Sequence, residues 1–354
     1  MNDSSPLPAA SLEVADVSGA AQPLLTIRGL VKHFPLRSGL IGRRKAVRAV
    51  DGIDFEVRKG ETLGVVGESG CGKSTTARLL MRLLAPTAGE VIFDGRSVGG
   101  RDLPLKEFRR QVQMVFQDSY ASLNPRLTTQ DSVAFGPQVH GVAHAEATAR
   151  ARDLLARVGL DPSRFGERYP HELSGGQRQR VNIARALALQ PRMVILDEAV
   201  SALDKSVEAQ VINLLLDLKA EFGLTYLFIS HDLNVVRFVS DRVMVMYLGE
   251  VVELAPADAL FEAPAHPYTQ ALLASMPSMD PDRRTESAAL AGDPPNPIDP
   301  PSGCRFHPRC GHAAPVCGGV APMRVAAGHG RDVRCLIHQP GSGHPLAAPL
   351  ARAA

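Results

Sequence analysis

The feature that most constrains the fold is a glycine-rich segment at residues 67–75, which reads GESGCGKST. An apolar run at 63–66 precedes it, and apolar residues at helical spacing follow it over 76–84. Glycines allow backbone N–H groups to turn inward around an anion, and the N-terminus of the next helix adds further donors. The pattern G-x4-G-K-[ST] between a strand and a helix therefore predicts a phosphate-binding loop, called the P-loop below. The alternative is an ordinary glycine-rich turn, which the flanking strand and helix disfavour.

Every residue of the P-loop is a candidate nucleotide contact. Lys73 is expected to reach the β- and γ-phosphates, and the Ser74 hydroxyl is expected to bind Mg²⁺. Cys71 is expected to act only as a small filler within the loop. The remaining candidates in this segment are Gly67, Glu68, Ser69, Gly70, Gly72 and Thr75.

Two acidic residues follow a continuous apolar run at 193–196, which predicts a buried parallel strand. Carboxylates in such a place are costly unless they meet a cation or hydrogen-bond donors, and ligands of α/β sheets bind at this end of the strands. Asp197 is therefore the candidate that holds Mg²⁺, and Glu198 the candidate that polarises an attacking water. His231 follows a later apolar strand at 225–229 in the same way, which makes it a catalytic candidate; a purely structural histidine is the alternative.

A second glycine pair, in the segment LSGGQ at 173–177, opens another helical run. Ser174, Gly175, Gly176 and Gln177 are candidate anion contacts because serine and glycine at a helix start expose backbone donors. The plainer interpretation is a helix cap, which would explain the serine but leave Gly-Gly-Gln without a reason. Farther on, Asp204 is predicted to cap the helix that runs through residue 218.

The order of the elements predicts an α/β fold with a parallel sheet and a helical insertion at about residues 119–175. Residues 1–22 have no periodicity and are expected to be a flexible tail with no inferable role. A basic, glycine-containing stretch at 37–48 is predicted to be a loop. The folded chain is divided into a nucleotide-binding domain at 23–260 and a C-terminal extension at 261–354.

Composition restricts the function classes for this chain of 354 residues. Its 39 basic and 37 acidic residues nearly balance, which gives no sign of a surface for nucleic acid. No stretch approaches 18 uninterrupted apolar residues, and the N-terminus lacks the pattern of a secretory signal. We therefore expect a cytosolic location and no nucleic-acid partner.

Taken together, the order of the motifs resembles the nucleotide-binding domain of ABC transporters over about residues 24–255. The LSGGQ segment distinguishes this family from other P-loop proteins, because a P-loop alone also occurs in GTPases, helicases and kinases. The resemblance implies a P-loop ATPase core with an N-terminal β subdomain and a helical subdomain, which binds and hydrolyses ATP with Mg²⁺. The segments that carry the resemblance are the P-loop, Gln117, LSGGQ at 173–177, MVILDE at 193–198, SALD at 201–204 and His231.

The same resemblance implies roles for single residues. Phe34 would stack on adenine, where tyrosine is commoner, and Gln117 would touch Mg²⁺ and link the site to a membrane subunit. His231 would contact the γ-phosphate. Residues 174–177 would face the P-loop of a second ATPase subunit, identical or paralogous, so that two chains enclose two ATP molecules head to tail.

Other segments resemble the ATPases of oligopeptide and dipeptide importers in particular, and the F-type subunit most. They are GESGCGKS at 67–74, FQD at 116–118 with ASLNPR at 121–126, HPYT at 266–269 and PPSGC at 300–304. Two positions depart from the pattern, since Ser119 and Ala199 replace prolines; neither is a ligand, so only local turn geometry is affected.

This closer resemblance implies peptide uptake and a peripheral position on the cytoplasmic face of the membrane. The implied partners are two transmembrane permease subunits and, indirectly, an extracytoplasmic solute-binding protein. Nickel, glutathione and other small solutes remain open as cargo. Two rival functions are a soluble ABC ATPase that acts on ribosomes or DNA, and a regulatory module that binds ATP without turnover.

Four cysteines cluster near the C-terminus, at Cys304, Cys310, Cys317 and Cys335. Four thiolates suit a [4Fe–4S] cluster or a zinc ion, and four reduced thiols without a metal are the third possibility. The spacing lacks the C-x2-C pairs of most zinc sites, which favours the cluster. The family resemblance also implies an iron–sulfur cluster in an extension of this kind.

Overall fold

A computed structural model describes residues 22–36, 45–276 and 292–348 of the protein. Residues 1–21 of the predicted flexible tail and most of the predicted loop at 37–48 lie outside the described residues. The loop prediction is wrong for residues 46–48, which belong to a strand.

The described residues form strands and helices in the alternating order expected of an α/β protein. The strands are β1 (Leu25–Pro35), β2 (Ala46–Val57), β3 (Thr62–Val66), β4 (Ala88–Phe93), β5 (Arg96–Ser97), β6 (Val112–Val115), β7 (Met193–Asp197), β8 (Thr225–Ile229), β9 (Arg242–Tyr247), β10 (Glu250–Pro256), β11 (Val325–Ala326) and β12 (Asp332–Val333). The α-helices are α1 (Lys73–Leu80), α2 (Leu105–Gln111), α3 (Thr129–Val139), α4 (His144–Arg157), α5 (Pro162–Phe165), α6 (Gly175–Leu187), α7 (Lys205–Phe222), α8 (Leu233–Val239), α9 (Ala257–Glu262), α10 (Pro267–Ala274) and α11 (Pro315–Gly319). Short 3₁₀ turns lie at Pro170–Glu172, His307–Arg309 and Leu336–His338.

The chain divides into two compact units, each described here by itself. Within the described residues, the first unit comprises 22–24 and 93–225, and the second comprises 25–92 and 226–348. The second unit therefore holds the P-loop together with the described part of the C-terminal extension. The predicted domain boundaries at 23–260 and 261–354 follow a different division and stay predictions.

Two groups of strands build the second unit. In one, β1 pairs antiparallel with β2 and has β4 on its other side. In the other, the order is β11-β12-β10-β9-β3-β8, and β3 runs parallel to both of its neighbours. Every residue of β3 is buried, which explains why the sequence before the P-loop is continuously apolar rather than alternating.

The first unit combines a parallel strand pair with a set of helices. Strands β6 and β7 are parallel, and all five residues of β7 are buried. Between them, residues 119–175 contain α3, α4 and α5 and no strand, as the sequence pattern predicted. Helix α3 packs against both α4 and α6, so the insertion is anchored to the helix that follows LSGGQ.

No helix in the described part of the chain is long and apolar enough to cross a membrane.

Candidate functional site

The P-loop joins β3 to α1 in the second unit, and three of its glycines have left-handed backbone conformations. The φ angles are 147° at Gly67, 78° at Gly70 and 110° at Gly72. A Cβ atom would lie 2.2 Å from the Met246 carbonyl oxygen at Gly67 and 2.3 Å from that of Ala49 at Gly72. Only glycine therefore fits at these two positions, on grounds of both conformation and space.

The carbonyl groups of the P-loop are bonded to protein donors. The Lys73 Nζ atom donates to the carbonyls of Gly67 and Glu68 at 2.6 and 3.1 Å. The Cys71 carbonyl accepts from the Gly249 amide at 2.9 Å. Since C=O and N–H point in opposite directions across a planar trans peptide, the Ser69 and Gly72 amides, which follow the Glu68 and Cys71 carbonyls, face away from these partners. Together with the start of α1 at Lys73, this arrangement suits an anion cradle.

Glu68 differs from its neighbours because its amide and its carboxylate contact the C-terminal part of the chain. Its amide donates to the Tyr268 hydroxyl at 2.9 Å. Its carboxylate accepts two hydrogen bonds from the Arg309 guanidinium, at 2.7 and 3.0 Å. Hydrogen bonding to Glu68 raises the pKa of the Arg309 guanidinium, which stays charged. A nucleotide contact by Glu68 stays a prediction.

His231 and the P-loop lie at the carboxyl ends of adjacent parallel strands. The Ser230 amide donates to the Val65 carbonyl at 3.3 Å, one residue before His231. This places both segments at the sheet edge where α/β proteins bind ligands. Phe34 lies on β1 opposite Val47 of β2, half-buried, with Lys32 Nζ 5.0 Å from its ring centroid.

In the first unit, the carboxyl ends of β6 and β7 bring Gln117 and Glu198 together. The Gln117 Nε2 atom donates to Glu198 Oε2 at 2.9 Å. Glu198 has a φ of 49°, a conformation that few non-glycine residues adopt and that is common at functional sites. Asp197, the last residue of β7, is buried. The amide oxygen of Gln117 and the carboxylate of Asp197 are oxygen donors of the kind that Mg²⁺ prefers. The hydroxyl of Ser74, in the second unit, is also an oxygen donor.

The LSGGQ segment forms a complete capping box at the start of α6. The Ser174 Oγ accepts from the Gln177 amide at 3.3 Å, and Gln177 Oε1 accepts from the Ser174 amide at 2.9 Å. A Cβ atom at Gly176 would lie 2.5 Å from Val207 Cγ1. Our view that a helix cap accounts only for the serine was therefore wrong. Capping explains Gln177 and packing explains Gly176, while a nucleotide role for residues 174–177 stays a prediction.

Asp204 occupies the predicted N-cap position of α7, but its side chain makes no capping hydrogen bond there. The helix instead carries Glu208 in its first turn, where a negative charge favours the helix dipole. The sequence thus predicted the start of the helix correctly, but the capping hydrogen bond expected from the Asp204 side chain is absent.

The four C-terminal cysteines line a single cavity in the second unit, and all are free thiols. Gly303 permits this arrangement, since a Cβ atom there would lie 2.3 Å from the Cys317 carbonyl oxygen. Burial raises the pKa of Cys304 to about 11 and of Cys335 to about 12. The cavity is also lined by four histidines, His266, His307, His312 and His344. The sequence motifs included only the first of them, in the HPYT segment, and none was a metal candidate.

The donor types of this cavity suit a metal, but their arrangement does not. Among the described residues, no group of three or more His, Cys, Asp or Glu side chains is placed to hold a metal ion. Binding would require the buried thiols to lose protons and to converge.

Comparison with known proteins identifies the class. Residues 50–201 match the family described as "ABC transporter", and residues 252–317 match "Oligopeptide/dipeptide transporter, C-terminal region". Two solved structures are similar in fold. One is cbiO1 from Clostridium perfringens, described as part of the ABC transporter complex cbiONQ, with a TM-score of 0.58 and 27% identity over 68% of this chain and 91% of that one. The other is the ATP-binding cassette MJ0796 in a dimeric post-hydrolysis state with ADP and Pi, with a TM-score of 0.57 and 30% identity over 66% of this chain and 98% of that one.

Relatives of known sequence match nearly end to end. The probable peptide ABC transporter ATP-binding protein y4tS of Sinorhizobium fredii is 51% identical, covering 90% of this chain and 91% of its own. The oligopeptide transport ATP-binding protein AppF of Bacillus subtilis is 50% identical, covering 90% and 98%.

The fold and motifs define an ABC-type ATPase with an α/β P-loop core. The chain belongs to the oligopeptide/dipeptide group of ABC transporter ATP-binding proteins. These comparisons support neither of the two rival functions. One was a soluble ATPase that acts on ribosomes or DNA, and the other was a module that binds ATP without turnover.

Proposed function

We propose that this chain is the ATP-hydrolysing subunit of an importer for dipeptides or oligopeptides. The observation that carries the proposal is the similarity to peptide-transport relatives along 90% of the chain, including the C-terminal region at 252–317. In such an importer the chain would lie on the cytoplasmic face of the membrane, bound to two permease subunits. A solute-binding protein outside the membrane would deliver the cargo.

Each candidate residue has a proposed task in hydrolysis. Lys73 and the amides of the P-loop would hold the phosphates, and His231 would contact the γ-phosphate. Glu198 would orient and deprotonate the attacking water, and its hydrogen bond from Gln117 supports a fixed carboxylate. Phe34 would stack on the adenine. Mg²⁺, held by Ser74, Gln117 and Asp197, would neutralise the charge that develops on the phosphates.

We also propose that hydrolysis requires a second ATPase subunit, identical or paralogous. Residues 174–177 would approach the P-loop of that subunit, and the LSGGQ segment of that subunit would approach Lys73 in return. Asp204 would lie close to the shared interface. The dimeric state described for MJ0796 with ADP and Pi supports this arrangement by analogy.

Replacing the proposed base tests the assignment. Glu198→Gln keeps the shape of the side chain and its contact with Gln117 but removes the charge that accepts a proton. We expect ATP binding within about twofold of the parent and a turnover lower by about 100-fold or more, the usual range for losing a general base. Phosphate release is measured on the protein with its partner subunits, and Glu262→Gln, at an exposed position of α9, is the control. Turnover near the parental rate would contradict the role of Glu198.

Uptake tests the substrate class. Cells that lack this subunit should fail to accumulate labelled dipeptides and oligopeptides, and only the parental gene, not the Glu198→Gln form, should restore uptake. Normal peptide uptake in the deleted cells, together with loss of nickel or glutathione uptake, would reassign the cargo.

For the cysteines we propose a [4Fe–4S] cluster, with zinc as the alternative and unliganded thiols as the third possibility. Support comes from the shared cavity of Cys304, Cys310, Cys317 and Cys335. Their side chains would have to converge on binding, because the described residues hold no group already placed around a metal ion. Protein purified without oxygen should be brown and contain about four iron atoms per chain. Colourless protein with one zinc per chain would replace the cluster by zinc, and metal-free protein would leave four thiols.

A further inference from the structure

One residue of the P-loop is held by two separate parts of the C-terminal extension. Tyr268 lies in α10, within the HPYT segment, and Arg309 ends the 3₁₀ turn His307–Arg309. Both contact Glu68, from positions 200 and 241 residues farther along the chain. Neither the ATP-site assignments nor the cysteine proposal gives these two residues a task.

The contact between Arg309 and Glu68 has the geometry of a strong ion pair. The two guanidinium nitrogens donate to different carboxylate oxygens, at 2.7 and 3.0 Å. The side chain of Arg309 is 6% exposed and that of Glu68 is 21% exposed, so water screens the pair less than it would a surface pair. Arg309 also donates to the Gly292 carbonyl at 3.0 Å. The planar guanidinium fork is thereby fixed in one orientation.

Tyr268 is equally fixed. Its side chain is fully buried, and its ring lies 4.6 Å from the ring of Tyr247 and 5.3 Å from that of Phe306, centroid to centroid. Packing in this aromatic cluster fixes the orientation of the ring. The hydroxyl therefore points toward the Glu68 amide, from which it accepts a hydrogen bond at 2.9 Å.

Glu68 is therefore fixed through each of its polar groups. Tyr268 accepts from its amide, Arg309 binds its carboxylate, and Lys73 Nζ donates to its carbonyl at 3.1 Å. Glu68 thereby connects the extension to the lysine that is proposed to bind the phosphates. A shift of Glu68 would change both the path of the P-loop and the position of the Lys73 ammonium.

We propose that Arg309 and Tyr268 are positioning residues for ATP hydrolysis: by fixing Glu68 they hold the P-loop and Lys73 in the geometry that binds the phosphates. The C-terminal extension would then help to position the P-loop of the nucleotide site. This inference rests on the proposed ATP site at the P-loop.

Steady-state kinetics of ATP hydrolysis by the complete transporter tests the inference. The variants are Glu68→Gln, Arg309→Gln, Arg309→Lys, Tyr268→Phe and the double variant Glu68→Gln/Arg309→Gln. Since misplaced phosphate contacts weaken substrate binding, Glu68→Gln, Arg309→Gln and Tyr268→Phe should each raise KM for ATP about fivefold, with kcat within about twofold. Arg309→Lys should recover part of the loss because it keeps the charge. The double variant should be no worse than either single one, as expected for residues that act through one contact.

The matched control is Arg324→Gln. Arg324 also lies in the extension and pairs with Asp332 at 2.6 Å, but the pair is more exposed and does not involve the P-loop. It should leave KM for ATP unchanged. Melting temperatures and the metal content of each variant are measured alongside. Glu68→Gln lies far along the chain from the four C-terminal cysteines, so it reports on the contact even if Arg309→Gln folds poorly.

Unchanged KM in Glu68→Gln and Tyr268→Phe, with normal parental hydrolysis, would overturn the inference and leave the proposed function intact. An equal rise of KM in Arg324→Gln would also overturn it, because the effect would then be general to the extension. A parental complex that neither binds nor hydrolyses ATP would overturn the proposed function and this inference together.

Discussion

Gly176 lies in the first turn of α6, where the backbone approaches α7 too closely for any larger residue. A Cβ atom there would lie 2.5 Å from Val207 Cγ1, whereas one at the neighbouring Gly175 would meet its nearest neighbour, Leu203, at 3.8 Å. Valine is branched at Cβ and has little rotational freedom with which to move aside. The two adjacent glycines are therefore under different constraints, although the sequence presents them as a pair.

The pair gives a matched test of this packing. Gly176→Ala should lower the free energy of unfolding by about 1–3 kcal/mol, the usual cost of overpacking. Gly175→Ala should be neutral or slightly stabilising, since alanine is the better helix former and the added methyl group has room. Thermal unfolding without nucleotide measures both variants independently of any role in ATP binding. Equal effects of the two substitutions would contradict the packing account.

At the scale of single residues, sequence reasoning found the acids and glycines but not their local geometry. Motif order located Glu198, but its left-handed backbone and its contact with Gln117 depend on where β6 and β7 end. Glu68 was grouped with the nucleotide contacts because of its position in the loop. Its partners Tyr268 and Arg309 lie some 200 residues away, and no local pattern could have indicated them.

Among the secondary-structure elements, α10 depends on a histidine cap that is buried inside the second unit. His266 is the N-cap residue of this helix, and its Nδ1 accepts from the Tyr268 amide at 2.9 Å. Burial lowers the pKa of His266 from 6.5 to about 3. The cap thus works with a neutral imidazole, because a protonated ring would have no acceptor at Nδ1.

This cap predicts a pH-dependent stability. Between about pH 3 and pH 6.5 the unfolded chain binds a proton at residue 266 that the folded chain does not, so stability should fall as the pH falls through this range. His266→Asn keeps an N-cap acceptor and removes the titration, so its melting temperature should depend less on pH. Melting curves at several pH values compare it with the parent and with His171→Asn, at an exposed position. Equal pH dependence of all three proteins would contradict this assignment.

Elements with continuous apolar sequence were predicted closely, and short or irregular ones were not. Strands β3, β7 and β8 are buried at every residue, and each was predicted within about one residue. The start of β2 was missed, because residues 46–48 were assigned to the predicted loop. This part of the strand is paired to β1 but only partly buried. The two-residue strands β11 and β12 carry too little pattern to be found.

On the scale of the whole molecule, the sequence predicted the α/β class and the ABC ATPase core, and the comparisons with ABC ATPases confirmed this fold class. The division into two compact units cuts the chain at 92/93 and 225/226, within or beside strands rather than at linkers. Composition shows no change at these points, so the predicted boundaries were placed elsewhere. Contacts between distant segments, which decide such a division, leave no local signal.

The central claim is that the P-loop at Lys73 binds an ATP molecule that Ser174 of a second ATPase subunit helps to enclose. The most direct test is light scattering of the Glu198→Gln protein, alone and mixed with its paralogous subunit, with and without MgATP. The account predicts that MgATP converts single chains into pairs, and that adding Lys73→Ala or Ser174→Arg on both chains abolishes the pairing. Pairing that needs no ATP, or that persists when both Ser174 positions are replaced, would contradict it.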